Sequence, residues 1–318
     1  MQNQHTADIL LRSSDNKLFH SWKIFLSMTS PVFGDMFTLP QPKLDSSDNT
    51  DEPHYHGLSV IDLEEDSCTL GHILSLCHPP SCTGKQFKVN NVRELRAVLE
   101  AATKYDMETV RCVALEELSK PPILREDPVR VYALACQYEC HKAARLAAKY
   151  TLALPSLVRE YVPDLEKIHA GKLFRLLSYR EACIAAACSL AVNHRWIVHA
   201  GSLRPLFGCT DGDLGWTTVR NLPSRKYPSG REECKSAHEW WFEYMKRSEC
   251  VLQRWPDANA VKDEKLVDDA LAAISASKCG KCKASQVSEA FRSFVNTFAE
   301  NIEHRIAEVT PIRSDLEG

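Results

Sequence analysis

The chain has 318 residues, room for about two domains at roughly 150 residues each. It is 44% hydrophobic and 25% charged, an ordinary balance for a folded chain whose core is large enough to need no disulfide staple. A formal net charge of −3 leaves out the strong basic excess of a chain that tracks a phosphate backbone, so nucleic acid is not an expected partner.

In chain order, Met1 to Leu10 has no basic segment followed by a long apolar run, and no signal peptide is expected. Ile9-Leu10-Leu11 reads as a short strand, Ser13-Ser14-Asp15-Asn16 as a turn and Lys17 to Phe19 as a returning strand. Trp22 to Met28 is apolar on most sides, as a buried helix would be. Ser30-Pro31 opens the next helix, with Ser as N-cap and Pro at the first position, and Phe33, Met36 and Phe37 share one face. Gln41 to Gly57, with two prolines and four acidic residues, is a break. Leu58 to Leu63 is a third strand, and Asp66-Ser67 caps a helix carrying Leu70, Ile73, Leu74 and Leu76.

Helical spacing then recurs in Val92–Tyr105 and Val110–Leu118, and Pro121-Pro122 marks a boundary. It resumes in Val129–Tyr138 and Ala143–Tyr150. Beyond Tyr150 no strand is expected, and helices are predicted over Lys172–Trp196, Glu232–Trp255, Asp263–Lys278 and Ser285–Val309. In the last, Val287, Phe291, Phe294, Phe298, Ile302, Ile306 and Val309 repeat at three or four residues, the pattern of a terminal helix docking on its own core. A coiled coil with a partner chain is the alternative, but its seam prefers Leu, Ile or Val to Phe. The longest apolar stretch, Ala182 to Val192, falls far short of the ~20 residues of a membrane span. With 13 cysteines, an odd number, a reducing intracellular compartment is expected, cytoplasmic or nuclear. Cys112, Cys136, Cys183 and Cys188 read as small buried hydrophobes.

The strand–turn–strand–helix–helix opening, then a strand and paired helices, resembles the BTB/POZ fold. Asp8-Ile9-Leu10-Leu11 resembles that family's first strand. Phe19, Trp22, Leu26, Ser30-Pro31-Val32-Phe33 and Met36-Phe37 resemble its strand-to-helix signature. Val60-Ile61-Asp62-Leu63-Glu64-Glu65-Asp66 resembles the next strand and helix start. Val98-Leu99-Glu100-Ala101-Ala102 with Lys104-Tyr105-Asp106-Met107 resembles the closing helical pair. Asp35 to Pro42, Pro128 to Cys136 and Ala143 to Leu152 are similar to recurrent segments of a fungal group of BTB-domain proteins.

The resemblance implies an α+β BTB/POZ domain at 1–120, a helical extension at 121–200 and a helical C-terminal module at 201–318. It also implies that the chain acts by binding other proteins, as a scaffold or adaptor, with self-association through the BTB domain. Two departures stand out. Trp22 occupies a place where many BTB domains carry His, a core-packing choice. Leu39-Pro40-Gln41-Pro42-Lys43 follows the Met-Phe helix, where cullin-recruiting members carry a hydrophobic-x-Glu motif, and this weakens the reading as a ubiquitin-ligase adaptor. The chain also starts almost at the first strand, so the N-terminal segment exchanged in some BTB dimers is not expected.

No catalytic or cofactor-binding residue is expected. Gly-x-Gly-x-x-Gly, Walker-type, Gly-x-Ser-x-Gly and His-Glu-x-x-His patterns are all missing. Asp211-Gly212-Asp213 lacks the later ligands of a calcium loop. His54-Tyr55-His56 lies in the acidic break and reads as solvated. Glu64-Glu65-Asp66 fits first-turn acids favoured by a helix dipole. Cys279-Gly280-Lys281-Cys282 is a Cys-x-x-Cys knuckle between two predicted helices, able to grip a structural zinc ion. The remaining ligands would come from Cys209, or from Cys234 and His238 one helical turn apart; the alternative is two unbound thiols. Trp196, Trp216, Trp240, Trp241 and Trp255 read as core filling in preference to a binding surface. An enzyme in the C-terminal module would need a concave pocket with convergent polar groups.

Overall fold

The computed structural model describes residues 7–39, 58–79, 87–157, 160–199, 206, 220–221, 225–226, 232–233, 236–237, 239–276 and 284–309. Its chain falls into two compact units, Met1–Ala147 with Val162–Ile168, and Ala148–Tyr161 with His169–Gly318.

The first unit is built on a three-stranded sheet of order β2-β1-β3. Strand β1 (Ile9–Arg12) pairs antiparallel with β2 (Leu18–Ser21), Ile9 opposite Ser21. It pairs parallel with β3 (Val60–Asp62), Leu10 opposite Val60. Ile9, Leu10 and Leu11 are all buried. The central strand is covered on both faces, which is why it reads as an unbroken apolar run. In the β1–β2 turn the Asn16 amide donates to the Ser13 carbonyl at 2.8 Å, and Asn16 has φ 62°, a left-handed conformation that Asn tolerates. At the far end, the Arg12 guanidinium pairs with the Asp62 carboxylate and pins the β1–β3 register.

Helices α1 (Lys23–Thr29) and α2 (Pro31–Thr38) pack against each other. The N-terminus of α1 gets its cap from across the sheet, where Asp8 Oδ1 accepts from the Lys23 amide at 2.8 Å. Helix α2 starts as the sequence predicts, with the Ser30 hydroxyl accepting from the Phe33 amide at 3.1 Å. Helix α3 (Ser67–Cys77) is capped by Asp66, which accepts from the Thr69 amide at 2.7 Å. Helix α4 (Val92–Lys104) buries Val92, Leu95, Val98, Leu99 and Ala102, the stripe its spacing predicts. It turns into α5 (Glu108–Glu117) through Asp106, at φ 51°.

Helices α6 (Pro121–Glu126), α7 (Pro128–Gln137) and α8 (His141–Tyr150) follow. Pro121-Pro122 occupies the first turn of α6, where a missing N–H costs nothing. The short 3-10 turn Pro163–Lys167 returns to the first unit with Asp164. That carboxylate is only 2% exposed and sits 3.5 Å from Arg96 and 3.1 Å from Arg130.

The second unit is mainly helical: α9 (Ala170–Val192), α10 (Glu239–Arg254), α11 (Glu264–Ala276) and α12 (Ala284–Glu308). The α12 stripe docks on this unit's own core, with Val287, Phe291, Phe294, Phe298, Ile302 and Ile306 all buried; Val309 lies just past the helix. Trp196 stacks on Phe298 at 5.4 Å and on Phe294 at 5.8 Å, Trp240 meets Phe291 edge-on at 5.4 Å, and Trp241 is fully buried. Trp216 lies outside the described residues. Arg180 is buried on α9, and its guanidinium donates to the carbonyls of Thr151, Leu154 and Arg254 at 2.7–2.8 Å. It thereby donates to carbonyls at the Thr151–Ala153 turn and at the end of α10. Among the described residues no helix is long and apolar enough to cross a membrane.

Five expectations are corrected. Strands do occur after Tyr150: β4 (Arg220–Asn221) pairs with β7 (Ser236–Ala237), and β5 (Arg225–Lys226) with β6 (Glu232–Glu233). The helix predicted from Glu232 therefore starts at Glu239. Two-residue strands are too short to show alternation, so sequence spacing does not reveal them. Cys112 is exposed, one helical turn from Glu108, whose carboxylate accepts from its thiol at 3.3 Å. Cys136 and Cys183 are buried as expected, and burial pushes the Cys183 thiol up to about 11. The remaining two corrections, at α1 and at Glu64-Glu65, concern the interaction surface of the first unit.

Candidate interaction surface

The hub of the first unit is the meeting of Ser30 with Tyr105. The buried Ser30 hydroxyl donates to the Tyr105 carbonyl at 2.5 Å while accepting from the start of α2. The ring of Phe33 stacks between Tyr105 at 4.8 Å and Phe37 at 5.9 Å. The Tyr105 hydroxyl donates to Glu65 Oε2 at 2.6 Å, and Lys104 Nζ bridges Glu64 and Glu65 at 2.9 and 3.0 Å.

Glu64 and Glu65 are thus not first-turn acids of α3. They precede its cap and clamp the end of α4. Burial and the adjacent Glu65 push the Tyr105 phenol well above its ordinary range. Burial works against the Lys104 ammonium, but Glu64 and Glu65 outweigh it and hold its pKa high. Asp15, in the β1–β2 turn, accepts from the Ser13 hydroxyl at 2.7 Å and from the Ser67 amide and hydroxyl at 2.8 and 2.7 Å. Those hydrogen bonds hold its carboxyl far below the usual carboxylate range and tie the turn to the start of α3.

This hub fixes one side of the α1–α2 pair and leaves the other open. Of α1 only Leu26 is buried, so the helix is not the buried one its composition predicts. Ile24 is 62% exposed and Met28, one turn later, 78%; Val32 in the first turn of α2 and Leu39 just past its end are exposed as well. Trp22 does pack, edge-on against Phe25 at 6.0 Å and His78 at 5.4 Å. His78 is buried, with Nδ1 donating to the Leu74 carbonyl at 2.8 Å and Nε2 facing the Ser21 hydroxyl at 3.0 Å. Burial lowers its pKa, in keeping with a neutral ring between those two partners. The exposed apolar side chains carry no signal in the sequence that separates them from core residues; their periodicity is the same.

The zinc candidates Cys209, Cys234, His238, Cys279 and Cys282 lie outside the described residues, as do His54 and His56 and the Asp211–Asp213 segment. In the second unit a cleft of about 120 Å³ is lined by residues including Lys149, Asp257, Lys262, Glu300 and Glu303. Small-molecule sites usually run from about 300 to 1,000 Å³.

A family model of the BTB/POZ domain matches residues 1–121. No curated protein matches the chain. Residues 1–121 are therefore a BTB/POZ domain, a small sheet flanked by helices, followed by a mainly helical C-terminal region.

Proposed function

We propose that the protein is a non-enzymatic scaffold or adaptor that pairs with a second copy of itself through the α1–α2 face of its BTB/POZ domain. BTB/POZ domains are in general protein–protein interaction modules. The observation that carries the reading is the exposure of Ile24 and Met28 on α1, of Val32 on the adjacent α2 and of Leu39 just past its end, while Ser30 between the helices is locked to Tyr105. Removing such apolar surface from water contributes roughly 25 cal/mol per Å², and a large exposed apolar patch is costly to keep solvated without a partner.

Sedimentation of the full chain tests it. The wild type is expected to be dimeric at micromolar concentration, and Ile24→Glu with Met28→Glu monomeric with an unchanged circular dichroism spectrum. A monomeric wild type, or a double variant that still dimerises, overturns the proposal.

The helical C-terminal unit, of the kind found in the fungal-type group, is proposed to select the target. Cys279 and Cys282 are its proposed structural zinc knuckle, with further ligands from Cys209, Cys234 and His238. A chain acting this way works inside the cell, in cytoplasm or nucleus, on protein partners and with no role for nucleic acid or membrane. The stretch Leu39-Pro40-Gln41-Pro42-Lys43 has no Glu and weighs against cullin recruitment; retention of a cullin in a pull-down with the full chain would restore that reading.

A further inference from the structure

Three side chains of types that can ligate a metal meet in the first unit. Cys68 and His72 are one turn apart on α3, and Glu94 is in the first turn of α4. Cys68 Sγ lies 3.6 Å from His72 Nε2, and His72 Nε2 lies 3.5 Å from Glu94 Oε2. All three ligand atoms lie within 4.8 Å of one another. Zinc bonds of about 2.3 Å to sulfur and about 2.0–2.1 Å to nitrogen or oxygen, at a tetrahedral angle, set ligand–ligand edges of about 3.4–3.6 Å. Two edges of such a tetrahedron are already in place.

The donors are also held. Asn90 donates to Glu94 Oε2 from its amide at 2.9 Å and from its side chain at 3.3 Å, and Asn91 Nδ2 donates to Oε1 at 2.8 Å. The edge of the His72 ring packs on Phe87 at 5.6 Å. A capping role explains the Asn91 contact with the Glu94 amide, but not why a thiol and an imidazole converge on the same carboxylate.

We propose that Cys68, His72 and Glu94 form a site for a zinc-class divalent cation, with the fourth position open to water. A mixed sulfur, nitrogen and oxygen set suits zinc, and three protein ligands are what an open site has. On binding, the Cys68 S–H bond breaks, its proton passes to solvent and the thiolate sulfur bonds the metal. His72 ligates through Nε2 and carries its proton on Nδ1. Without the cation, burial and the carboxylates of Glu94 and Asp66 keep the thiol protonated, against a smaller opposite pull from Lys17.

The test uses the full-length chain carrying Cys279→Ser and Cys282→Ser, so that the proposed knuckle cannot report in its place. Cobalt(II) is titrated as the optical probe and zinc by competition with a chromophoric chelator. A cobalt–thiolate charge-transfer band at one ion per chain is expected, with zinc displacing cobalt. It should vanish in Cys68→Ser and in His72→Asn, whose folding circular dichroism checks. Glu94→Gln should weaken zinc uptake by more than the about 10–100-fold that loss of an outer-shell partner costs. As an independent readout, zinc should slow alkylation of Cys68, located by peptide mapping. No thiolate band in the double variant, or a band that survives Cys68→Ser, overturns the proposal; so does alkylation of Cys68 that zinc leaves unchanged.

Discussion

Tyr105 carries several separate interactions: its carbonyl holds Ser30, its ring stacks on Phe33 and lies 5.0 Å from the Lys104 ammonium, and its hydroxyl reaches Glu65. Substitution separates them. Tyr105→Phe keeps the stack and removes the hydroxyl's contacts with Glu65 and Lys104, so it should cost about 1.5–3 kcal/mol of unfolding free energy in urea. Tyr105→Ala also empties the ring's place, and the cost should rise to about 3–5 kcal/mol. His78 makes stability depend on pH. Burial holds its folded pKa below the ordinary value of about 6.5, against a smaller opposite effect of the Leu74 carbonyl. Below that value the unfolded chain takes up a proton that the folded chain refuses. Stability should therefore be fully present above about pH 6.5 and decline as pH falls toward the lower folded value. His194, also lowered by burial, acts in the same direction in the second unit. Urea midpoints at about pH 7.5 and about pH 5.5 should show the loss, and His78→Gln should make it smaller.

At the scale of elements, α12 and α1 show what periodicity can and cannot tell. Both repeat apolar residues at helical spacing, but the α12 stripe is sealed against its own unit while Ile24 and Met28 of α1 face outward. Phe294 lies at the centre of the seal, stacked with Phe291 and Phe298 and edge-on to Trp241. Phe294→Ala should lower stability by about 3–5 kcal/mol, read by thermal melting followed through Trp fluorescence. The glutamate change at Ile24 and Met28 should leave melting nearly unmoved while it alters the sedimentation coefficient. Equal destabilisation by the two changes would mean that α1 is as enclosed as α12.

At the scale of the whole molecule, the family match ends at residue 121, but the compact first unit runs to Ala147 and takes in Val162–Ile168. The added helices α6 and α7 bury Ile123, Leu124, Val131, Tyr132 and Leu134, and the returning turn inserts Asp164 between Arg96 and Arg130. A fragment of residues 1–168 should unfold at a higher urea concentration than one of residues 1–121, because the shorter piece exposes the surface those helices cover and takes Asp164 away from Arg96. A midpoint unchanged between the two would show that the family-matched segment folds without help from α6, α7 and the Asp164 turn.

Much of the fold is legible in the chain itself. Strands Ile9–Arg12 and Val60–Asp62, the caps Ser30 and Asp66, the α4 stripe and the α12 stripe all follow from spacing within a few residues, where backbone hydrogen bonding and side-chain periodicity operate. Tertiary structure alone decided three things. It turned Glu64 and Glu65 from dipole partners into a clamp on Lys104 and Tyr105, left one side of α1–α2 uncovered, and brought Glu94 to Cys68 and His72. Each depends on groups far apart along the chain, and local pattern holds no information on which apolar face finds a neighbour or which distant carboxylate arrives beside a thiol.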